Sequence, residues 1–179
     1  MLRRILFLLT VPFAAVIAFS AAASATSTTT INPANAPTGT HFFGTATCSV
    51  DTSTLLVTCS SYQLAGVGSS NATGALDTTY SATVNCTNHG GMLVPVKSSA
   101  QTAPTTTGSL SPKNGKLTVP SLNSSPVPTA AQFEAAATCP NGNWTKSLQG
   151  GSITLSSFTY TLTFAGFPGP FITITGNDP

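Results

Sequence analysis

Charged side chains are scarce in this 179-residue chain, which carries six basic and four acidic residues. Both arginines, Arg3 and Arg4, stand near the amino terminus, so residues 26–179 hold four lysines, four carboxylates and no net charge. A nucleic-acid-binding protein needs a basic patch against phosphates, and anionic membrane surfaces attract clusters of basic residues. We therefore expect that nucleic acid is not a partner. For residues 26–179 we also expect no membrane partner.

Catalytic signatures are also missing. The sequence contains no G-x-S-x-G nucleophile elbow, no glycine-rich phosphate loop and no C-x-x-C pair for zinc. Asp51 and Asp77 are predicted in turns, and Glu134 alone has the apolar neighbours that could tune an acid or base. His41 and His89 are interpreted as structural residues. We expect a non-catalytic protein without cofactor or metal ion. A secreted hydrolase is a third hypothesis, ranked below two binding functions.

Long hydrophobic runs are confined to the amino terminus. Residues 1–4 (MLRR) form a short basic region, residues 5–19 are mostly apolar, and residues 23–25 (ASA) resemble a signal-peptidase site. This order predicts a secretory signal peptide over residues 1–25. A membrane anchor is the alternative, but a spanning helix needs about 20 apolar residues and this run is shorter. We therefore expect the protein to be secreted and extracellular.

The remaining chain divides by composition into two parts. Residues 26–40 are rich in threonine, proline and asparagine and offer little to bury, which predicts a flexible leader. Residues 41–179 contain apolar residues at regular intervals, which predicts a single folded domain. Its size is typical of one domain with a substantial core.

Apolar residues in this domain alternate with polar ones, as expected for half-buried strands. The alternation changes phase at residues 156–157, which predicts a β-bulge in one strand or a corner between two. Turns rich in glycine, proline and asparagine separate the strands, and Asn114-Gly115 is a strong hairpin signal. Residues 129–137 suit a capped helix or a strand equally well. The expected fold is all-β, an antiparallel Ig-like β-sandwich.

Four cysteines follow the predicted signal peptide, and this even number predicts two disulfides. If Cys48 and Cys59 lie opposite each other in a hairpin, then Val50, two residues after Cys48, lies opposite Val57, two residues before Cys59. All four side chains then share one face. This register favours a Cys48–Cys59 disulfide. It leaves Cys86 and Cys139 to form the second.

Aromatic residues are the remaining functional candidates. Trp144 is the only tryptophan and lies in a polar turn, where it can stack on a sugar ring or anchor the core beside Cys139. Tyr62 has the same two interpretations. We interpret the protein as a cell-envelope or polysaccharide-binding module, with Trp144 and Tyr62 as candidate ligand-binding residues. The main alternative is a carrier that holds a small apolar ligand in a cavity between its sheets.

Three turn and cysteine segments carry a resemblance to a known group of proteins. The sequences CTNHGG (residues 86–91), SPKNG (111–115) and CPNG (139–142) are similar to those of small secreted actinobacterial proteins of uncharacterised function. The resemblance covers about residues 86–164 and implies a bacterial exoprotein with Cys86 paired to Cys139, but no activity. The hairpin of residues 48–59 also resembles the apoproteins of enediyne chromoproteins, secreted Ig-like sandwiches that carry a small apolar ligand.

Overall fold

A computed structural model describes residues 27–177, and the predicted signal peptide at residues 1–25 lies outside the described residues. The described chain forms thirteen strands, one α-helix and a short 3-10 helix at Pro33–Asn35. In chain order these are β1 (Ser27–Ile31), β2 (His41–Phe43), β3 (Cys48–Val50), β4 (Val57–Cys59), β5 (Tyr62–Ala65), β6 (Ala72–Thr87), β7 (Leu93–Gln101), β8 (Thr105–Leu110), β9 (Lys116–Val119), β10 (Leu122–Asn123), α1 (Ala130–Ala136), β11 (Thr145–Leu148), β12 (Thr154–Phe164) and β13 (Pro170–Gly176).

The larger layer is a seven-stranded antiparallel sheet organised around the 16-residue strand β6. One edge of β6 pairs with β12 and β11, and the other edge pairs with β7 and β8. Strands β13 and β1 extend the sheet beyond β12. Every second residue of β6 is buried, because successive side chains of a strand point to opposite faces.

The second layer consists of two three-stranded antiparallel sheets, β2-β5-β9 and β10-β4-β3. Their inward side chains join those of the large sheet in one apolar core, so the fold is all-β and sandwich-like, as predicted. The largest fully buried side chains come from both layers and from the helix: Tyr80, Tyr160, Phe133, Phe158, Phe164, Leu64, Leu76, Leu117, Leu155, Leu162, Ile172 and Ile174.

Both predicted disulfides are present, Cys48–Cys59 and Cys86–Cys139. The first joins β3 to β4, and these strands have the predicted register, with the two cysteines opposite each other. The second ties the end of β6 to the segment after α1. Two structural disulfides indicate an oxidising compartment.

The phase change at residues 156–157 is a β-bulge, as one of the two interpretations predicted. Strand β12 is continuous from Thr154 to Phe164. Its register against β6 shifts between Leu155 and Ser157, which brings Leu155 and Phe158 to the same buried face. The bulge therefore keeps one long strand amphipathic despite the change of phase.

Residues 129–137 adopt the helical alternative. The Gln132 side chain accepts a 2.8 Å hydrogen bond from the Thr129 amide, as a capping box requires. Only Phe133 of α1 is buried, and the Glu134 carboxylate accepts a 2.8 Å hydrogen bond from the Leu148 amide of β11. No helix among residues 27–177 is long and apolar enough to cross a membrane.

The segment predicted as a flexible leader, residues 26–40, begins with a paired edge strand at Ser27. Strand β1 pairs with β13 through Ser27, Thr28, Thr29, Thr30 and Ile31. Ala36 is buried, and the backbone of Gly39 packs against Gly66 at the end of β5. The composition of this segment does not reveal such pairing, because an edge strand is held by backbone hydrogen bonds to its neighbour and does not need large side chains to bury.

Candidate functional site

The two outer faces of the sandwich carry different chemistry. Across β1, β13 and β12 the large sheet presents two rows of threonines, Thr28–Thr175–Thr159 and Thr30–Thr173–Thr161. These rows offer hydroxyl and methyl groups and no aromatic ring. The outer face of β2-β5-β9, hereafter the β5 face, combines an aromatic ring with amide, hydroxyl and ammonium groups, and it is the candidate functional site.

Strand register places the side chains of the β5 face in two rows. Phe43 of β2 lies opposite Gln63 of β5, which lies opposite Thr118 of β9. In the next row, His41 and Lys116 flank Ala65. The intervening residues of β5 and β9 point inward and are buried, so the side chains of these two rows face outward.

Phe43, on the edge strand β2, is the exposed apolar ring of the β5 face. Its side chain is 57% exposed, although an aromatic ring of this size is ordinarily buried. The Lys116 ammonium nitrogen lies 5.5 Å from the centroid of the Phe43 ring, within the range of a cation–π contact. The His41 ring centroid is 6.1 Å from that of Phe43. The ring therefore has a cation over one face and an imidazole nearby, while the residue remains exposed to solvent.

Hydrogen bonds hold two of the polar neighbours in place. The Gln63 side-chain amide donates to the Thr118 hydroxyl at 3.3 Å. His41 Nδ1 donates to the Gly39 carbonyl oxygen at 2.8 Å. His41, which was predicted to be structural, thus supports the turn before β2 and also borders the exposed ring.

A hollow of about 390 Å³ adjoins the ring on the side of Lys116. This volume lies within the roughly 300–1,000 Å³ typical of small-molecule sites. The hollow is lined by the polar or charged residues Gln63, Ser111, Lys113, Lys116 and Thr118 and by Leu110.

The turn of residues 113–116 forms one wall of this hollow. Lys113 and Lys116 exchange backbone hydrogen bonds of 2.8 and 3.0 Å, and the two residues between them, Asn114 and Gly115, have φ of 50° and 71°. Positive φ at both central positions is what a type I′ turn requires. The Asn-Gly signal thus marked a tight turn, but the strands on either side belong to different sheets: β8 pairs with β6, and β9 pairs with β5.

Neither aromatic residue named from the sequence lies on the β5 face. The Tyr62 side chain is 5% exposed, and its hydroxyl oxygen is 2.9 Å from that of Tyr160 in the core. Burial raises the pKa of both hydroxyls. Trp144 is half-buried in the turn before β11, where its amide donates to the Asn141 carbonyl at 3.2 Å. The structure thus places Tyr62 inside the sandwich and Trp144 at the end of the large sheet.

Sequence reasoning missed Phe43, Gln63, Lys116 and Thr118. A usable signal was the pair Phe42-Phe43 in a predicted strand. Because adjacent strand residues face opposite ways, one of the two rings has to point outward. The structure buries part of Phe42, which stacks on Phe171 with ring centroids 5.8 Å apart, and exposes Phe43.

A second hollow, of about 300 Å³, lies at the open edge of the sandwich between β1 and β2. Ile31 at this edge is 46% exposed. The lining of this hollow is mainly apolar and consists of Thr29, Ile31, Phe42, Gly44, Thr45 and Ala46. This hollow suits a small apolar ligand rather than a polar chain.

The carboxylates considered for acid–base chemistry lie on separate elements. Asp51 is in the β3–β4 turn, where hydrogen bonds from the Ser53 hydroxyl and amide lower the pKa of its carboxyl. Asp77, predicted in a turn, instead lies within β6 opposite Thr159, because alternation continues through it. Glu134 binds the Leu148 amide. Residues 27–177 contain no group of three His, Cys, Asp or Glu side chains arranged to hold a metal ion.

Comparison of the chain with protein-family models, with curated proteins and with solved structures finds no match. The resemblance to small secreted actinobacterial proteins stays a prediction. We therefore infer function from the side chains of the β5 face and of the two hollows.

Proposed function

We propose that this protein is a secreted, non-catalytic module that binds polysaccharide of the cell envelope or its surroundings through the β5 face. The observation that supports this most is the exposed Phe43 ring beside Gln63, Lys116 and Thr118 on a single sheet face. Sugar rings have apolar C–H faces and polar edges. An aromatic ring flanked by hydrogen-bonding groups complements both.

The position of the ring on regular strands also favours this function. A binding group on a strand is held more precisely than one on a loop, and less side-chain freedom is lost when a ligand binds. The neighbours of Phe43 are fixed by cross-strand pairing with β5. An extended sugar chain can lie along such a face without entering a deep pocket.

Export and fold type belong to the same proposal. Two disulfides and the predicted signal peptide at residues 1–25 support secretion. The two antiparallel layers support an Ig-like sandwich, although the second layer is divided into two sheets.

A second candidate function is a carrier of a small apolar ligand. The hollow between β1 and β2 favours it, since the exposed Ile31 and the half-buried Phe42 give it an apolar lining. Its occupant would contact the edge strands of the two layers, whereas a polysaccharide would contact the β5 face. Variants can therefore separate the two functions.

A depletion assay tests the proposal. Protein is mixed with insoluble chitin, cellulose, starch and bacterial cell wall, and the protein left in solution is measured. We expect saturable loss onto at least one solid, weakened roughly tenfold or more by Phe43→Ala, which corresponds to about 1.4 kcal/mol. The matched control is Leu93→Ala, because Leu93 is 55% exposed on the large sheet and its loss should leave binding unchanged.

The same assay tests whether Trp144, the candidate residue from the sequence, contributes to binding. Trp144→Ala should bind like the unmodified protein, because Trp144 lies away from β2-β5-β9. Absence of depletion from every solid, or unchanged binding by Phe43→Ala, would overturn the proposal. Uptake of an apolar dye that is lost in Ile31→Glu would then favour the carrier function.

A further inference from the structure

The charges on the β5 face identify the chemical class of its ligand, if the proposed function is correct. Residues 27–177 contain four lysines and three carboxylates. Two of the lysines, Lys113 and Lys116, line the hollow beside Phe43, and no carboxylate lines it. The lining of the hollow therefore carries two positive charges and no negative charge.

The four lysines differ in what their ammonium groups contact. Lys97 Nζ donates to the Thr83 hydroxyl at 3.4 Å, and Lys146 Nζ donates to the Ala137 carbonyl at 2.6 Å. Among residues 27–177, Lys113 and Lys116 have no such hydrogen bond, and Lys116 instead lies over the Phe43 ring. Their ammonium groups are therefore available to an external anion.

The tight turn fixes the two lysines relative to each other. They exchange both backbone hydrogen bonds, as a directly opposed antiparallel pair does. Side chains of such a pair leave the same face from Cα atoms about 5.5 Å apart. From these positions both ammonium groups can reach one anionic group, and such a group would offset the repulsion between the two positive charges.

We infer that the ligand of the β5 face is an anionic polysaccharide, whose sugar ring stacks on Phe43 and whose carboxylate or phosphate is bound by Lys113 and Lys116. Lysine acts as a compact point charge and accepts either anion without the bidentate geometry that arginine favours. The anion can therefore belong to a uronic acid or to a phosphodiester-linked envelope polymer.

Affinity chromatography tests the inference. The protein is passed through columns of agarose gel that carry immobilised polygalacturonate, wall teichoic acid or neutral xylan, at ionic strengths from about 0.01 M to about 1 M, where the Debye length falls from about 30 Å to about 3 Å. We expect retardation by at least one anionic polymer, weakening as salt rises, and little by xylan. The two anionic gels distinguish a carboxylate ligand from a phosphate ligand.

Variants connect the effect to the two lysines. The double substitution Lys113→Gln and Lys116→Gln should lower affinity for the anionic polymer roughly tenfold or more, about 1.4 kcal/mol. Lys97→Gln removes an exposed lysine from the large sheet and should change affinity less than twofold. Thermal unfolding of the variants serves as a check that both remain folded.

Each failure has a separate meaning. Salt-independent binding to xylan that still requires Phe43 would overturn the anionic ligand and leave polysaccharide binding in place. Equal retardation by DNA would also contradict the inference, because it would show attraction to any polyanion. Absence of retardation in every gel, together with absence of depletion by solids, would remove the proposed function itself.

Discussion

The Lys116 ammonium nitrogen lies 5.5 Å from the centroid of the Phe43 ring, and the two residues belong to strands that are not neighbours. Strand β5 separates β2 from β9, so the contact reaches across the full width of this small sheet. The proposed binding surface therefore forms only when all three strands have paired. Its properties should respond to changes in the sheet as well as to changes in the side chains that touch a ligand.

The buried tyrosine pair gives a first prediction, on stability. The hydroxyl oxygens of Tyr62 and Tyr160 are 2.9 Å apart in the core. Tyr62→Phe or Tyr160→Phe alone leaves a buried hydroxyl without this partner, and we expect each to lower the free energy of unfolding by about 1–3 kcal/mol. The double variant should lose less than the sum of the two, because it removes both polar groups. Urea unfolding measures this coupling, and additive losses would contradict it.

The same pair predicts a decline of stability in alkaline solution. Burial raises the pKa of both hydroxyls above the value of about 10 for an unfolded tyrosine. Their contribution is complete below about pH 10 and is lost above it, because the unfolded chain then releases protons that the folded chain retains. The double phenylalanine variant should show a shallower fall of unfolding free energy between pH 9 and pH 11. Equal slopes for the two proteins would refute this explanation.

Gly66 tests whether the segment before β2 belongs to the fold. Gly66 has φ of +73°, and an added Cβ would lie 2.1 Å from the Gly39 carbonyl oxygen. We expect Gly66→Ala to lower the free energy of unfolding by about 3 kcal/mol or more, from backbone strain and overpacking together. Gly68→Ala is the control, because φ there is +57° with no atom within 4 Å, and it should cost only about 1–2 kcal/mol. Equal costs would mean that Gly39 does not pack there in solution.

The two disulfides should differ in their contribution to stability. Their cysteines are separated by 11 residues in Cys48–Cys59 and by 53 in Cys86–Cys139. By chain entropy, replacing each pair with alanine should lower the free energy of unfolding by about 3 and about 4 kcal/mol, respectively. Denaturant unfolding of the two double variants measures both values. A larger loss for the 48–59 pair would show that strain or residual structure outweighs loop length.

Local patterns explain what the sequence could predict. The Cys48–Cys59 pairing follows from a short hairpin, in which one assumed contact determines the neighbouring ones. The bulge near Ser157 and the Asn114-Gly115 turn likewise depend on a few adjacent residues. Backbone conformation and side-chain alternation act over such short distances, so a single sequence contains the information.

Long-range pairing explains what it could not predict. Strand β1 is stable because β13 offers an edge, and nothing within residues 26–40 reveals that edge. Alternation along β2 puts Phe42 and Phe43 on opposite faces, but it does not show which side chains of other strands lie beside the exposed ring. Lys116 becomes part of the site only through its register on β5. The sequence alone therefore favours Trp144 and Tyr62 as candidates, because it does not show the register that groups side chains on the β5 face.

Fluorescence can locate the ligand most directly, because the chain contains one tryptophan. In the variant Phe43→Trp with Trp144→Phe, the single tryptophan stands on the β5 face. Polygalacturonate, or soluble fragments of a solid that depletes the protein, is titrated into this variant and into the unmodified protein. We predict a saturable change of emission in the variant and none from Trp144 in the unmodified protein. A change from Trp144, with none from position 43, would contradict the account and place the ligand at the end of the large sheet.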